Sequence, residues 1–72
     1  MLKGLLMRSM ERNEKIVIFY VDSEGRLTER YVRILKMEDT AFLAYCYYRR
    51  KVRQFKLERI LSAGHARGRV GA

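Results

Sequence analysis

The chain has 72 residues, which is enough for one domain and too few for two. Hydrophobic residues make up 49% of it, so a core can form, although a chain of this size buries only ~60% of the surface it exposes when unfolded. The formal net charge is +8, and the single cysteine excludes an internal disulfide and a cysteine-based metal site.

Most of the positive charge lies towards the C-terminal end. Residues 41–72 carry eight arginines and lysines against one glutamate, a net charge of +7. The first 40 residues carry eight basic and seven acidic residues, a net charge of +1. A field of this sign speeds the capture of polyanions, and the alternative is a solvated basic surface.

The first element is an amphipathic helix over residues 2–13. Leu2, Leu5, Leu6 and Met10 recur at helical spacing and form an apolar stripe that fits a lid on a core. This start is too short and too soon interrupted by charge for a signal peptide, and no apolar run approaches the ~20 residues of a membrane span. We therefore expect a reduced, cytoplasmic location and no membrane partner.

Residues 15–21 are β-branched or aromatic almost throughout, which predicts a strand with two apolar faces. Such a strand belongs in the centre of a sheet, with the helix covering one side. Asp22 and Gly25 then predict a turn, because aspartate can bond its own backbone and glycine permits a positive φ.

A second strand covers residues 26–36, with a further turn at residues 38–40. Its alternation of apolar and polar residues is less clean than that of the other strands. Glu29, Arg30 and Arg33 are expected to face the solvent.

The third and fourth strands form a hairpin, residues 41–48 and 52–57, joined by the basic turn 49–51. In the fourth strand Arg53 and Phe55 point to the same side. Because alternation turns about half of the aromatic residues inward, we expect Phe55 and two of the hairpin tyrosines in the core. Cys46, in the third strand, is expected to be a small buried hydrophobe.

Residues 60–63 can add a short closing strand, and residues 64–72 are expected to be a flexible basic tail. The pattern predicts a mainly β domain over residues 1–63 with one N-terminal α-helix. Its strands would form a small, strongly curved antiparallel sheet or barrel, and closure would remove exposed strand edges.

Catalytic chemistry is poorly supplied. The lone His65 falls in the expected tail, so a serine–histidine arrangement is not expected. The acidic residues cluster in turns, where solvation accounts for them. We expect no enzyme activity, no cofactor and no metal.

Binding chemistry is better supplied, because arginines and tyrosines share the late hairpin. Guanidinium groups bind phosphate with charge-assisted bonds, and tyrosines that reach solvent can stack on bases. Arg53 shares an apolar face with Phe55, so it needs either a ligand or an ion pair with Glu29 or Glu58. The candidate ligand-binding residues are Arg53, Arg59, Tyr45, Tyr47, Arg49, Arg50, Lys51 and Lys56. For the basic turn, the alternative is simple solvation.

Five segments together resemble the WYL domain. They are Ile16-x-Ile18-x-Tyr20, Asp22-x-x-Gly25, Arg30-Tyr31-Val32, Phe42-Leu43-Ala44-Tyr45 and Arg53-x-Phe55-Lys56-Leu57-Glu58-Arg59-Ile60. The WYL domain is a small Sm-like β-barrel, usually found behind a DNA-binding helix-turn-helix in bacterial transcription regulators. The resemblance covers about residues 14–63, and the Trp-Tyr-Leu triplet that names the family corresponds here to Ala41-Phe42-Leu43.

The resemblance implies an Sm-like fold and a sensor surface for nucleotides or nucleic acid, with Arg53 and Arg59 at matching basic positions. One short helix cannot supply a helix-turn-helix, so we expect a free-standing module. The leading hypothesis is a non-enzymatic regulatory module that binds a phosphate-rich ligand, either nucleic acid or a nucleotide. The alternative is a protein-interaction or dimerisation module, as a homo-oligomer or with a transcription regulator.

Overall fold

The fold consists of one N-terminal helix and a five-stranded antiparallel sheet, as the sequence predicted. A computed structural model describes residues 2–66. Its elements are α1 (Leu2–Arg12), β1 (Lys15–Val21), β2 (Leu27–Met37), β3 (Ala41–Cys46), β4 (Lys51–Lys56), a short 3-10 helix (Leu57–Arg59) and β5 (Ile60–His65). The strand order across the sheet is β4-β3-β2-β1-β5.

The ends of β3 and β5 each differ by two residues from the expected ones, and β2 and β4 are each displaced by one residue. β3 ends at Cys46, and the turn before β4 covers residues 47–50, with Arg50 in the left-handed region at φ 57°. β5 continues to His65, because Ile16 of β1 pairs with it, so the first two residues of the expected tail belong to a strand. Of that expected tail, Ala66 follows the strand, and residues 67–72 lie outside the described residues.

The core lies on one side of the curled sheet, and α1 covers one end of it. Alternation along β1, β2 and β3 turns every second side chain towards the core. Cross-strand pairs such as Ile16 with Val32 and Phe42 with Phe55 place these buried side chains next to one another. Leu6 of α1 completes this core. Cys46 is 1% exposed, which confirms its expected role as a small buried hydrophobe.

A buried serine fixes α1 to the sheet. The hydroxyl of Ser9 donates a hydrogen bond to the Glu14 carbonyl oxygen at 2.6 Å and accepts one from the backbone N–H of Ile34 at 3.3 Å. Ser9 is fully buried, so both polar contacts replace bonds to water. The helix therefore keeps one position over β2.

The sheet is strongly curled, as predicted, and of the two predicted forms it is the open sheet and not the closed barrel, because the edge strands β4 and β5 do not pair among the described residues. One hydrogen bond bridges the open side near the end of β4, where the backbone N–H of Lys56 donates to the Tyr20 hydroxyl at 3.0 Å. The backbone N–H of Leu57 donates to the Thr40 carbonyl oxygen at 3.0 Å and so extends the pairing of β3 with β4 by one residue. Among residues 2–66, no helix is long and apolar enough to cross a membrane.

Candidate functional site

The open side of the curled sheet leads into a cleft of about 450 Å³ between the β1–β2 turn on one side and β4 with the following 3-10 helix on the other. We call it the basic cleft. It is lined by Tyr20, Asp22, Ser23, Glu24, Arg26, Arg30, Arg49, Arg53, Gln54, Phe55, Lys56 and Arg59.

The strand β4 places Arg53 in the basic cleft. Residues two apart on a strand share a face, and Phe55 is buried at 2% exposure, so Arg53 points to the same inner side. Its position opposite Ala44 leaves space for the long side chain over a small neighbour. Arg53 is therefore half-buried at the end of the core.

Arg30 enters the basic cleft from β2, although the sequence led us to expect it in solvent. Its partner across the β1–β2 pair is the buried Ile18, which places Arg30 on the inner face. Its guanidinium carbon lies 5.9 Å from the ring centroids of both Tyr20 and Phe55. Its Nε donates a hydrogen bond to the Thr28 hydroxyl at 3.1 Å. The expectation was wrong because the curl of the sheet encloses this part of β2.

Arg59 of the 3-10 helix is held in the basic cleft by a contact with the β1–β2 turn. It ends the 3-10 helix, and its Nη1 donates a hydrogen bond to the backbone carbonyl oxygen of Asp22 at 2.9 Å. A guanidinium group has five N–H donors, so this bond leaves others for a ligand. The contact ties the 3-10 helix to the β1–β2 turn.

The acidic side chains of the basic cleft are occupied within the β1–β2 turn. Oδ1 of Asp22 accepts hydrogen bonds from the backbone N–H groups of Glu24 and Arg26, both at 2.9 Å. Arg26 also pairs with the carboxylates of Glu24 and Asp22. The pKa of the Asp22 carboxyl is lowered, chiefly by the bond from the Arg26 backbone N–H.

The lining of the basic cleft is therefore strongly positive, with six basic against two acidic side chains. In the described part of the chain, every ion pair involves Arg26. The alternative that the sequence left open, a salt bridge from Arg53 to Glu29 or Glu58, does not form there. Because like charges concentrated in a concave site focus the potential, the arrangement favours an anionic ligand.

The structure brings together four of the eight candidate residues and separates the other four from them. Arg49, Arg53, Lys56 and Arg59 line the basic cleft. Arg50 lies in the hairpin turn and Lys51 begins β4, whereas Tyr45 and Tyr47 lie on the outer face. None of these four residues lines the basic cleft.

The aromatic rings of the basic cleft come from Tyr20 and Phe55, which pack edge to face at a centroid distance of 5.1 Å. The expectation that two hairpin tyrosines join the core is wrong. Tyr45 is half-buried on the outer face, and Tyr48 is 87% exposed. The outward direction of Tyr45 follows from its neighbours Ala44 and Cys46, which are both buried.

Several lining residues were not among the sequence candidates, notably Tyr20, Arg26 and Arg30. A signal for Arg30 was present, because it lies two residues before the apolar Val32 and so shares its face. No comparable signal marks Arg26. Among residues 2–66, no group of three or more histidine, cysteine or acidic side chains is placed to hold a metal ion.

Comparison with known proteins supports the fold. The chain is similar in structure to proteasome accessory factor B/C (PafBC) of Arthrobacter aurescens, with a TM-score of 0.79 and 24% sequence identity. The similarity covers 96% of this chain and 12% of that one. No protein-family profile and no curated protein matches the sequence. The likeness supports the WYL-like fold that the sequence predicted.

Proposed function

We propose that this protein is a non-enzymatic regulatory module that binds a phosphate-rich ligand, nucleic acid or a nucleotide, in the basic cleft. One observation carries the proposal: six basic side chains surround one concavity, and both carboxylates of that concavity are occupied within a turn. A phosphate group would supply the negative charge that the described residues do not provide there.

The positions of the arginines favour phosphate over a neutral ligand. Arg30 lies against two aromatic rings and Arg59 is tied to a backbone carbonyl, so both are held in place before a ligand arrives. Preorganised guanidinium groups lose less conformational entropy on binding and can form bidentate bonds to phosphate oxygens. Arg53 and Lys56 add charge from the opposite strand.

The size of the basic cleft also fits. A volume of about 450 Å³ lies within the range typical of small-ligand sites, and a nucleotide fits that range as well as a short stretch of single strand does.

The WYL-like fold is consistent with a bacterial, cytoplasmic role in transcription regulation. The chain spans 12% of the solved structure that it resembles, so the activity of that whole protein is not assigned to it.

A fluorescence anisotropy titration tests the proposal. Labelled single-stranded DNA and RNA oligonucleotides are titrated at two salt concentrations, with unlabelled mononucleotide as competitor. We expect binding that weakens as salt rises, since phosphate contacts release counterions. If the mononucleotide displaces the oligonucleotide, the basic cleft binds a single nucleotide. If it does not, the basic cleft requires a nucleic acid strand.

The double variant Arg53→Gln and Arg59→Gln is compared with Arg8→Gln and Arg12→Gln on α1, which removes the same charge outside the basic cleft. We expect the first variant to lose most of the affinity and the second to lose little, with circular dichroism confirming that both fold. No binding at low salt, or equal losses in the two variants, would contradict the proposal.

A further inference from the structure

The outer face of the sheet carries a second group of aromatic and basic side chains. Lys15 pairs across the strands with Arg33, Arg33 with Tyr45, and Val17 with Tyr31. We call Lys15, Tyr31, Arg33, Tyr45 and Tyr47 the outer tyrosine patch. Their sequence neighbours Ile16, Val32, Ala44 and Cys46 are buried in the core, so the patch faces away from the basic cleft.

Arg33 is the unusual residue of the outer tyrosine patch. Its Nε atom is buried, yet within the described part of the chain it has no hydrogen-bond partner. Its cross-strand neighbour Lys15 is also positive, and like charges directly opposite each other destabilise a sheet. Within the described part of the chain the half-buried Arg33 also forms no ion pair, so a carboxylate that reaches its guanidinium group from outside would offset the repulsion between the two cations.

The aromatic rings of the patch are arranged against one another and against Lys15. The Nζ atom of Lys15 lies 4.9 Å from the ring centroid of Tyr47 and 5.4 Å from that of Tyr31. Tyr45 and Tyr47 meet edge to face, with centroids 5.2 Å apart. Because Lys15 lies over a face of the Tyr31 ring and a face of the Tyr47 ring, those faces are occupied, which disfavours the stacking of bases on them.

The remaining features fit a protein partner. Tyrosine and arginine are enriched at the centres of protein–protein interfaces. The exposed Val52 lies opposite Tyr45 and adds apolar surface beside the patch. Tyr31 donates its hydroxyl hydrogen to Glu29 at 3.0 Å, which occupies the nearby carboxylate.

From these contacts we infer that the outer tyrosine patch is a docking site for an acidic segment of a partner protein, in which a carboxylate pairs with Arg33 and an adjoining apolar side chain packs on the tyrosines. Charge complementarity selects this occupant. A second copy of the chain would bring a net charge of +8 and the same two cations to the interface, which disfavours self-association through this face. The inference does not depend on the basic cleft.

Random peptides displayed on phage and selected against the immobilised chain test the inference. We expect the enriched peptides to carry aspartate or glutamate next to an apolar residue. A synthetic labelled copy of one of them should bind about tenfold more weakly to Arg33→Gln and to Tyr47→Ala, as hot-spot truncations do. The control Arg53→Gln removes one charge from the basic cleft and should leave peptide affinity within about twofold.

Because Arg33→Gln removes a half-buried side chain, Arg33→Lys serves as a second variant that keeps the charge and loses the planar guanidinium group that pairs with a carboxylate. Peptide binding unchanged in both variants would overturn the inference, as would enriched peptides without acidic residues. It would also be overturned by a dimer in sedimentation analysis that Tyr47→Ala dissociates, since that would make a second copy the occupant. Oligonucleotide binding that Tyr47→Ala abolishes and Arg53→Gln spares would instead assign the patch to nucleic acid.

Discussion

The hydroxyl of Tyr20 accepts a hydrogen bond from the backbone N–H of Lys56 at 3.0 Å and so joins β1 to the end of β4 across the open side of the sheet. The ring of Tyr20 belongs to the core and also lines the basic cleft. One side chain thus links the closure of the sheet to the shape of the site.

Replacing Tyr20 with phenylalanine tests this link. The variant keeps the ring and its edge-to-face contact with Phe55, but it leaves the N–H of Lys56 without its acceptor. We expect the free energy of unfolding to fall by about 1 kcal/mol, the usual net value of such a bond, in a urea titration. The control Tyr48→Phe removes a hydroxyl from an exposed ring and should cost much less. Equal losses in the two variants would argue against a role for the bond.

A substitution in the hairpin turn is expected to raise the free energy of unfolding, whereas the Tyr20 substitution lowers it. Arg50 adopts φ 57°, a left-handed conformation that costs a residue with a Cβ atom roughly 1–2 kcal/mol and glycine almost nothing. We expect Arg50→Gly to raise the free energy of unfolding by about 0.5–1 kcal/mol after the entropy of the unfolded chain is included. Arg49→Gly, which removes the same side chain where φ is not positive, should lower it. Thermal and urea unfolding of both variants would show whether the signs differ.

How far the sequence predicted this molecule depends on how local each feature is. The helix and strand β1 were confirmed almost to the residue, because apolar spacing and β-branched composition are local signals. The inward direction of Phe55 was also correct. The position of Arg30 was not, because the inner face of β2 is set by its pairing with β1 and by the curl of the sheet.

The site itself could be predicted only in part. The basic cleft joins the β1–β2 turn to the end of β4, and the Tyr20–Lys56 and Asp22–Arg59 contacts each connect residues more than 30 positions apart. Residue spacing in the sequence cannot predict contacts between residues so far apart. Arg49 and Arg53 were identified as candidate ligand-binding residues because both belong to one hairpin that is rich in basic residues. The separation of Tyr45 from Arg53 follows from alternation on two paired strands, a relation that needs the register between them.

The pH dependence of the β1–β2 turn follows from the lowered pKa of Asp22. Its carboxylate is favoured in the folded state chiefly by the backbone N–H of Arg26. A carboxyl group with a lowered folded pKa stabilises the fold fully above its unfolded pKa of about 4, and this contribution is lost as the pH falls from there through the folded pKa. We expect an NMR titration of the Asp22 side-chain carbonyl carbon to give a midpoint below the usual aspartate value.

Asp22→Asn provides the control for that titration, because its amide oxygen can still accept both backbone bonds while it carries no charge. We expect the difference in unfolding free energy between the wild type and this variant to shrink as the pH falls below about 4. A difference that stays constant down to the folded pKa, or a midpoint at the ordinary aspartate value, would mean that the turn does not favour the charged form.

Substitutions of Arg30 and Arg33 distinguish binding in the basic cleft from binding at the outer tyrosine patch. The two residues are three positions apart on one strand and point to opposite sides of the sheet. We expect Arg30→Gln to weaken the binding of a single-stranded oligonucleotide and to reduce the slope of log affinity against log salt by about 0.7, the value for one phosphate contact on a single strand. Arg33→Gln removes the same charge and should leave that slope unchanged while it weakens the acidic peptide. Equal slope changes would mean that oligonucleotides respond to the overall charge of the chain and not to the basic cleft, because general attraction does not distinguish two arginines on one strand.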